Sequence, residues 1–167
     1  FQINQFISTE FQNFRDTILL VDENQKDVSS SAGHSLMDNH PFSMDRYVIA
    51  YKNTSALKII LEKGDLFAFC EIVEKEAMML HSLMMTSHPS YILMKPETLE
   101  IIDEIKSFRN VNKVPICFTL DAGANVHVLY PEKYSKSVLE FINSKLSKYC
   151  FQGKFITDHV GKGPEKI

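Results

Sequence analysis

Two strand-like runs joined by a short loop constrain the fold of this chain more than any other feature. The runs cover residues 116–120 and 126–130, and the connector between them reads Asp-Ala-Gly-Ala-Asn. Five residues with a central glycine suit a β-hairpin loop, since Gly123 can adopt a positive φ that other residues resist. The pattern places Asp121 at the end of a buried strand, where a carboxylate can act as an acid, a base or an orienting group. The alternative is an aspartate that only hydrogen-bonds its own turn.

Strand-like and helix-like segments alternate along the rest of the chain. We predict helices from near Pro41 to Leu61, over residues 66–84, from near Glu97 to Arg109, and over residues 132–148. Strands are predicted near residues 17–22, 115–120, 126–130 and 152–157. This order predicts an α+β fold in a single domain, residues 1–167, whose antiparallel sheet is covered mainly on one face by helices.

The composition is typical of a globular domain and argues against several classes of partner. The 167 residues are 44% hydrophobic and 23% charged, which is enough apolar material for a core. The net charge of −3 comes without a concentrated basic run, so nucleic acid is not expected as the main partner. No apolar run approaches the roughly 20 residues that span a bilayer, and the N-terminus lacks a secretory pattern. We therefore expect no membrane partner.

The cysteines indicate a reducing compartment. Cys70, Cys117 and Cys150 are odd in number and widely spaced, and all three stand in apolar surroundings. Such cysteines behave as small hydrophobic residues and form neither a disulfide framework nor a metal-binding pair. A cytoplasmic location is the simplest expectation.

A serine-rich segment follows the first predicted strand and reads Ser-Ser-Ser-Ala-Gly-His from Ser29. Hydroxyls beside a glycine can form an anion-binding nest, or they can cap the helix that follows. His34, His40 and two nearby aspartates also lie in this region, but their spacing indicates no third ligand, so we expect no dedicated metal site.

The hairpin loop also carries a family resemblance. Leu-Asp-Ala-Gly-Ala-Asn-Val, residues 120–126, resembles the Asp-Ala-Gly-Pro-Asn loop of diphosphomevalonate decarboxylases, which belong to the GHMP kinase superfamily. The resemblance extends from about Asp16 to Tyr149 and covers only the C-terminal half of such an enzyme. It implies a ferredoxin-like GHMP kinase C-terminal domain. The implied activity is ATP-dependent conversion of mevalonate 5-diphosphate to isopentenyl diphosphate, with CO2, ADP and phosphate released.

The resemblance also implies roles for individual residues. Asp121 matches the family's catalytic aspartate, which would accept or orient the proton of the substrate hydroxyl. Ser30 aligns with a serine near the substrate and Gly33 with a glycine that follows it, while Ser31 stands where some bacterial members have arginine. Family members often have a histidine at the place of His81. The implied substrate-binding residues are Ser30, Ser31, Gly33, His81, Gly123 and Asn125.

The N-terminal half of such an enzyme would hold most of the contacts to ATP and Mg²⁺, because it carries the glycine-rich phosphate loop. The serines around Ser30 are not that loop, since no glycine stands immediately before them. The chain begins at Phe1 rather than Met, so we expect a fragment that is inactive alone and exposes an apolar face to the missing domain.

Two other functions stay open from the sequence. One is the C-terminal domain of another GHMP small-molecule kinase, and the other is a non-catalytic ferredoxin-like module that binds a ligand or a partner. The sequence also leaves open the oligomeric state, with a homodimer as one alternative, and the choice between a mono- and a diphosphate substrate.

Overall fold

Four antiparallel strands form one sheet in the computed structural model, which describes residues 7–23 and 40–161. The strands are β1 (Phe14–Leu19), β2 (Cys117–Leu120), β3 (Val126–Pro131) and β4 (Phe155–His159). Their order across the sheet is β2-β3-β1-β4, with helices between β1 and β2 and between β3 and β4. This is the ferredoxin-like arrangement, and it confirms the predicted α+β class.

The two outer strand boundaries differ from the prediction for local reasons. β1 begins three residues earlier than predicted because Phe14 pairs with Pro131 and stacks on Phe11. β4 begins later because residues 151–153 form a turn in which Gln152 has a φ of 51°.

Four α-helices complete the described fold: α1 (Ser43–Lys63), α2 (Leu66–Thr86), α3 (Pro96–Asn112) and α4 (Ser135–Phe141). The break between α1 and α2 is set locally. Gly64 takes a φ of 75° at the end of α1, and the Asp65 side chain then accepts a hydrogen bond from the N–H of Ala68 at the start of α2. A left-handed glycine followed by an aspartate cap ends one helix and starts the next.

The last predicted helix is not one continuous α-helix. A 3₁₀ turn over Glu132–Tyr134 precedes α4, and a π-helical turn over Ile142–Leu146 and a 3₁₀ turn over Ser147–Tyr149 follow it. Ile142 and Leu146 are fully buried, so the wider turn keeps both side chains against the sheet. A periodic apolar pattern predicts helix here but does not distinguish a π turn from an α turn.

The core lies between one face of the sheet and helices α3 and α4. Side chains from β1, β2 and β3 meet those of the helices there, among them Leu19, Phe118, Val128, Ile101, Ile105, Val138 and Ile142. Helix α2 packs against the edge strand β2, where the thiols of Cys70 and Cys117 are neighbours. The opposite face of β1 and β3 carries half-buried side chains such as Ile18, His127 and Leu129. No helix in the described part of the chain has the length and apolar character needed to cross a membrane.

Helix α1 packs on α2 and buries none of its side chains fully. Arg46 and Asn53 fix it to α2 by hydrogen bonds to Glu76. Its exposed apolar side chains include Met44, Tyr47, Val48 and Tyr51, which recur at the spacing of one helical face. This face is an exposed apolar patch, and such patches often mark interaction surfaces.

An ion pair between α2 and α3 is largely buried. The side chains of Glu74 and Arg109 are only 10% and 14% exposed. Arg109 donates to both carboxylate oxygens of Glu74 at 2.5 and 2.9 Å, and to the carbonyl of Ile116 at 2.8 Å. The hydrogen bonds to Glu74 raise the pKa of Arg109. The pair therefore ties α2, α3 and the residue before β2 together.

We expect Glu74→Gln to destabilise the fold by about 3–5 kcal/mol, because it leaves the Arg109 charge buried without its counterion. Urea unfolding followed by circular dichroism measures the loss. The control is Glu10→Gln, which removes the charge of an exposed carboxylate paired with Lys133 and should leave the unfolding midpoint near that of the parent. Equal midpoints for Glu74→Gln and Glu10→Gln would show that the buried pair does not stabilise the fold.

Candidate functional site

The connector between β2 and β3, residues 121–125, is called the Asp121 loop. The strand ladder closes at the pair Leu120 and Val126, so the predicted hairpin and the position of Asp121 at a strand end are confirmed. Within the loop, Ala122 and Ala124 are buried, whereas Asp121 is exposed. The alternation anchors the loop by its small apolar residues and presents the carboxylate outward.

Gly123 does not use the positive φ expected from the sequence. The described glycines with a positive φ are Gly64 and Gly153. The Asp121 loop is instead tightened by a hydrogen bond from the N–H of Gly123 to the carbonyl of Asp121, with an N···O distance of 2.7 Å. A three-residue turn of this kind needs no left-handed residue.

His81 of α2 lies directly beneath the start of the loop. Its side chain is 1% exposed, and its Nε2 lies 3.2 Å from the carbonyl oxygen of Asp121. Burial lowers the pKa of His81, opposed by the hydrogen bond to that carbonyl and by the Asp121 charge. A neutral imidazole protonated at Nε2 is the tautomer that can donate to the carbonyl. The substrate-binding role implied for His81 stays a prediction.

Thr98 of α3 holds the far side of the loop. Its hydroxyl donates to the carbonyl of Ala124 at 2.7 Å and accepts a hydrogen bond from the N–H of Lys95 at 3.1 Å. Thr98 has no exposed surface. The first turn of α3 is thereby fixed to the loop.

Asn125 connects the loop to the segment after β1. Its side-chain oxygen accepts a hydrogen bond from the N–H of Asp22 at 2.9 Å. The Asp22 carboxylate pairs with Lys95 Nζ at 2.5 Å. The Asp121 loop is therefore held by three separate parts of the chain, which restricts how far its backbone can move.

The Asp121 carboxylate itself is oriented by a short local contact. Its Oδ1 accepts a hydrogen bond from the N–H of Ala122 at 2.7 Å, and the charge lies close enough to His81 to act on its pKa. An exposed carboxylate on a well-held loop can accept or orient the proton of a bound hydroxyl group.

Several residues implied by the family resemblance fall outside the described part of the chain. Ser30, Ser31 and Gly33 lie in residues 24–39, which the structure does not describe, so their roles stay predictions. His34, which was weighed as a metal ligand and not assigned as one, lies in the same segment. In residues 7–23 and 40–161, no three His, Cys, Asp or Glu side chains are grouped so that they could hold a metal ion.

Thr98, Asp22 and Lys95 were not identified from the sequence as parts of the site. Lys-Pro-Glu-Thr at residues 95–98 has the proline and the hydroxyl expected at a helix start. That signal predicts the beginning of α3. It does not predict which distant carbonyl the hydroxyl reaches.

Comparison with known proteins identifies one family. The family model for the mevalonate 5-diphosphate decarboxylase C-terminal domain matches residues 17–166. The phosphomevalonate decarboxylase of Haloferax volcanii is 26% identical over 105 residues, which are 63% of this chain and 32% of that protein. The diphosphomevalonate decarboxylase of Candida albicans is 26% identical over 136 residues, 78% of this chain and 36% of that protein.

Solved structures share the fold. The mevalonate pyrophosphate decarboxylase of Streptococcus pyogenes superposes with a TM-score of 0.82 at 20% identity, over 96% of this chain and 48% of that one. A second structure, a complex with MVAPP, AMPPCP and magnesium, has a TM-score of 0.76 at 23% identity, over 89% of this chain and 44% of that one. The chain thus spans about a third of the length of the curated relatives and under half that of the solved structures.

Proposed function

Because the chain belongs to the family of mevalonate 5-diphosphate decarboxylase C-terminal domains, we propose that it supplies the catalytic aspartate of an ATP-dependent decarboxylase. The observation that carries the proposal is the exposed Asp121 carboxylate on a loop held from three directions. The substrate is mevalonate 5-diphosphate, and the products are isopentenyl diphosphate, CO2, ADP and phosphate.

Asp121 acts on the tertiary hydroxyl of the substrate. It accepts or orients the hydroxyl proton while the oxygen attacks the terminal phosphate of ATP. The phosphorylated intermediate then loses phosphate, and its carboxylate leaves as CO2 with the bonding electrons forming the alkene. A carboxylate that is already oriented when the substrate binds lowers the entropic part of the barrier.

ATP and Mg²⁺ are assigned to a preceding domain rather than to this chain. A similar solved structure holds AMPPCP and magnesium. Phosphoryl transfer depends on neutralising the phosphate charge, so the preceding domain is a required partner. The exposed apolar face of α1 is the surface that we assign to that contact.

The predicted substrate-binding residues other than His81 are proposed to hold the anionic substrate. Ser30, Ser31 and Gly33 would contribute hydroxyl and backbone N–H donors from the segment after β1. Gly123 allows close approach at the loop. Asn125 already uses its oxygen to accept a hydrogen bond from the backbone N–H of Asp22, so its amide NH₂ is the group that can serve the substrate.

We expect Ser30→Ala in the complete protein to weaken substrate binding or turnover by about 1.5–3 kcal/mol, the typical contribution of one hydrogen bond to a charged group. Kinetic constants and unfolding midpoints are measured together. Ser137→Ala is the control, because Ser137 is exposed and its hydroxyl donates to the carbonyl of Tyr134, three residues earlier. Unchanged kinetics with a lowered midpoint would show that Ser30 is a helix cap.

The experiment that tests the function measures ADP and CO2 released by the complete protein. Both mevalonate 5-phosphate and mevalonate 5-diphosphate are supplied, since the two curated relatives are a phosphomevalonate and a diphosphomevalonate decarboxylase. We expect equal amounts of ADP and CO2 with the diphosphate. ADP without CO2 would indicate a GHMP kinase, and neither product would favour a non-catalytic binding module.

A cytoplasmic location is part of the proposal. Cys70, Cys117 and Cys150 are all buried free thiols, as expected of a protein in a reducing compartment. A homodimer is the assembly to test, by light scattering of the complete protein.

A further inference from the structure

We propose that His81 and Thr98 are positioning residues that hold the two sides of the Asp121 loop and thereby direct the Asp121 carboxylate. The inference rests on the proposed catalytic role of Asp121. It assigns to His81 an action through the loop instead of the direct contact with substrate that the family resemblance implies.

His81 contacts the backbone of Asp121, the residue proposed to be catalytic. Its Nε2 donates to the carbonyl of Asp121, the same oxygen that accepts the N–H of Gly123. Two donors on one carbonyl restrict rotation of the Asp121 peptide, and the direction of the Asp121 side chain depends on that rotation. His81 is only 1% exposed, whereas Asp121 is exposed, so a substrate approaching from solvent meets Asp121 first.

Thr98 controls the other side of the loop in the same way. Its hydroxyl donates to the carbonyl of Ala124 across a sequence separation of 26 residues. The hydroxyl is itself fixed by the N–H of Lys95 at the start of α3. With a carbonyl held at Asp121 and another at Ala124, the loop cannot pivot about either strand end alone.

Both side chains bond to loop carbonyls rather than to the strand ladder. The hairpin register between β2 and β3 is set by backbone pairs up to Leu120 and Val126, which do not involve either side chain. Loss of one anchor should therefore leave the hairpin in place and loosen the loop. A misplacement of about 1 Å at a reacting group can lower a rate by about 10²-fold.

The test compares paired variants in the complete protein. His81→Leu and Thr98→Val remove the donors, whereas His81→Gln and Thr98→Ser keep one. We expect kcat to fall roughly 10–100-fold in the first pair with KM nearly unchanged. The second pair should recover most of that loss. Ser82→Ala, on the same helix as His81 but at an exposed position, is the control and should retain the parent kcat.

A double-mutant cycle with Asp121→Asn separates positioning from an independent role. If His81 and Thr98 act through Asp121, their removal should cause little further loss in the Asp121→Asn background. Losses that multiply in that background would overturn the inference, as would an unchanged kcat in both donor-removing variants. If His81→Leu does not fold, His81→Asn replaces it in the comparison. The asparagine side chain is too short to reach the Asp121 carbonyl, so this variant also removes the hydrogen bond.

The outcomes also distinguish this inference from the proposed function. If Asp121→Asn alone leaves kcat unchanged, the catalytic assignment fails, whatever the effects of His81→Leu and Thr98→Val. If Asp121→Asn abolishes turnover while His81→Leu and Thr98→Val turn over normally, only the positioning role fails.

Discussion

Replacement of Asp121 by Asn in the complete protein is expected to lower kcat by about 10²–10⁴-fold, the contribution typical of a general base or orienting group. KM and the thermal midpoint should stay near those of the parent. Asn is close to Asp in shape, and its side-chain oxygen can still accept the hydrogen bond that Oδ1 of Asp121 takes from Ala122 at 2.7 Å. Steady-state kinetics and thermal unfolding of the same preparations measure both expectations.

The matched control is Asp103→Asn, which neutralises an exposed aspartate on α3, outside the loop. It should leave both kcat and the midpoint unchanged. If Asp121 were only a turn residue, its replacement would instead lower the midpoint and spare turnover. That pattern would contradict the catalytic assignment.

The second large effect concerns the chain by itself. We expect the 167-residue chain, incubated with ATP, Mg²⁺ and mevalonate 5-diphosphate, to release neither ADP nor CO2 above background. The physical reason is that charge stabilisation of the transferred phosphoryl group is the main catalytic task, and we assign it to the preceding domain. Product release is followed over hours at high chain concentration.

A positive control makes the absence of turnover informative. The complete protein, assayed in parallel, should release both products, and the isolated chain should show the circular dichroism of a folded α+β domain. ATP-dependent turnover by the isolated chain would show that the phosphate-binding groups do not depend on a preceding domain.

The elements of the fold could be predicted because their signals are local. The alternation of buried and half-buried residues along β3 and the apolar runs around it follow from strand geometry. The break at Gly64 follows from the conformational freedom of glycine. The position of Asp121 at a strand end could be predicted in the same way, because a polar connector directly follows the apolar run at residues 116–120.

The contacts that hold the site could not be predicted, because they join residues distant in sequence. His81 reaches a carbonyl 40 residues away, and nothing in the helical pattern of α2 indicates which one. Gly123 was expected to turn the chain by a positive φ, but the N–H of Gly123 closes a tighter turn on Asp121. The π turn after α4 depends on how Ile142 and Leu146 meet the sheet, which is a property of tertiary packing.

Single-turnover CO2 release tests the catalytic role of Asp121 most directly. The complete protein and its Asp121→Asn variant are compared at saturating ATP and mevalonate 5-diphosphate, where neither substrate binding nor product release limits the observed rate. If Asp121 is the catalytic aspartate, the variant is slower by about 10²–10⁴-fold. A variant within a factor of about three of the parent, under about 1 kcal/mol in the barrier, would contradict it.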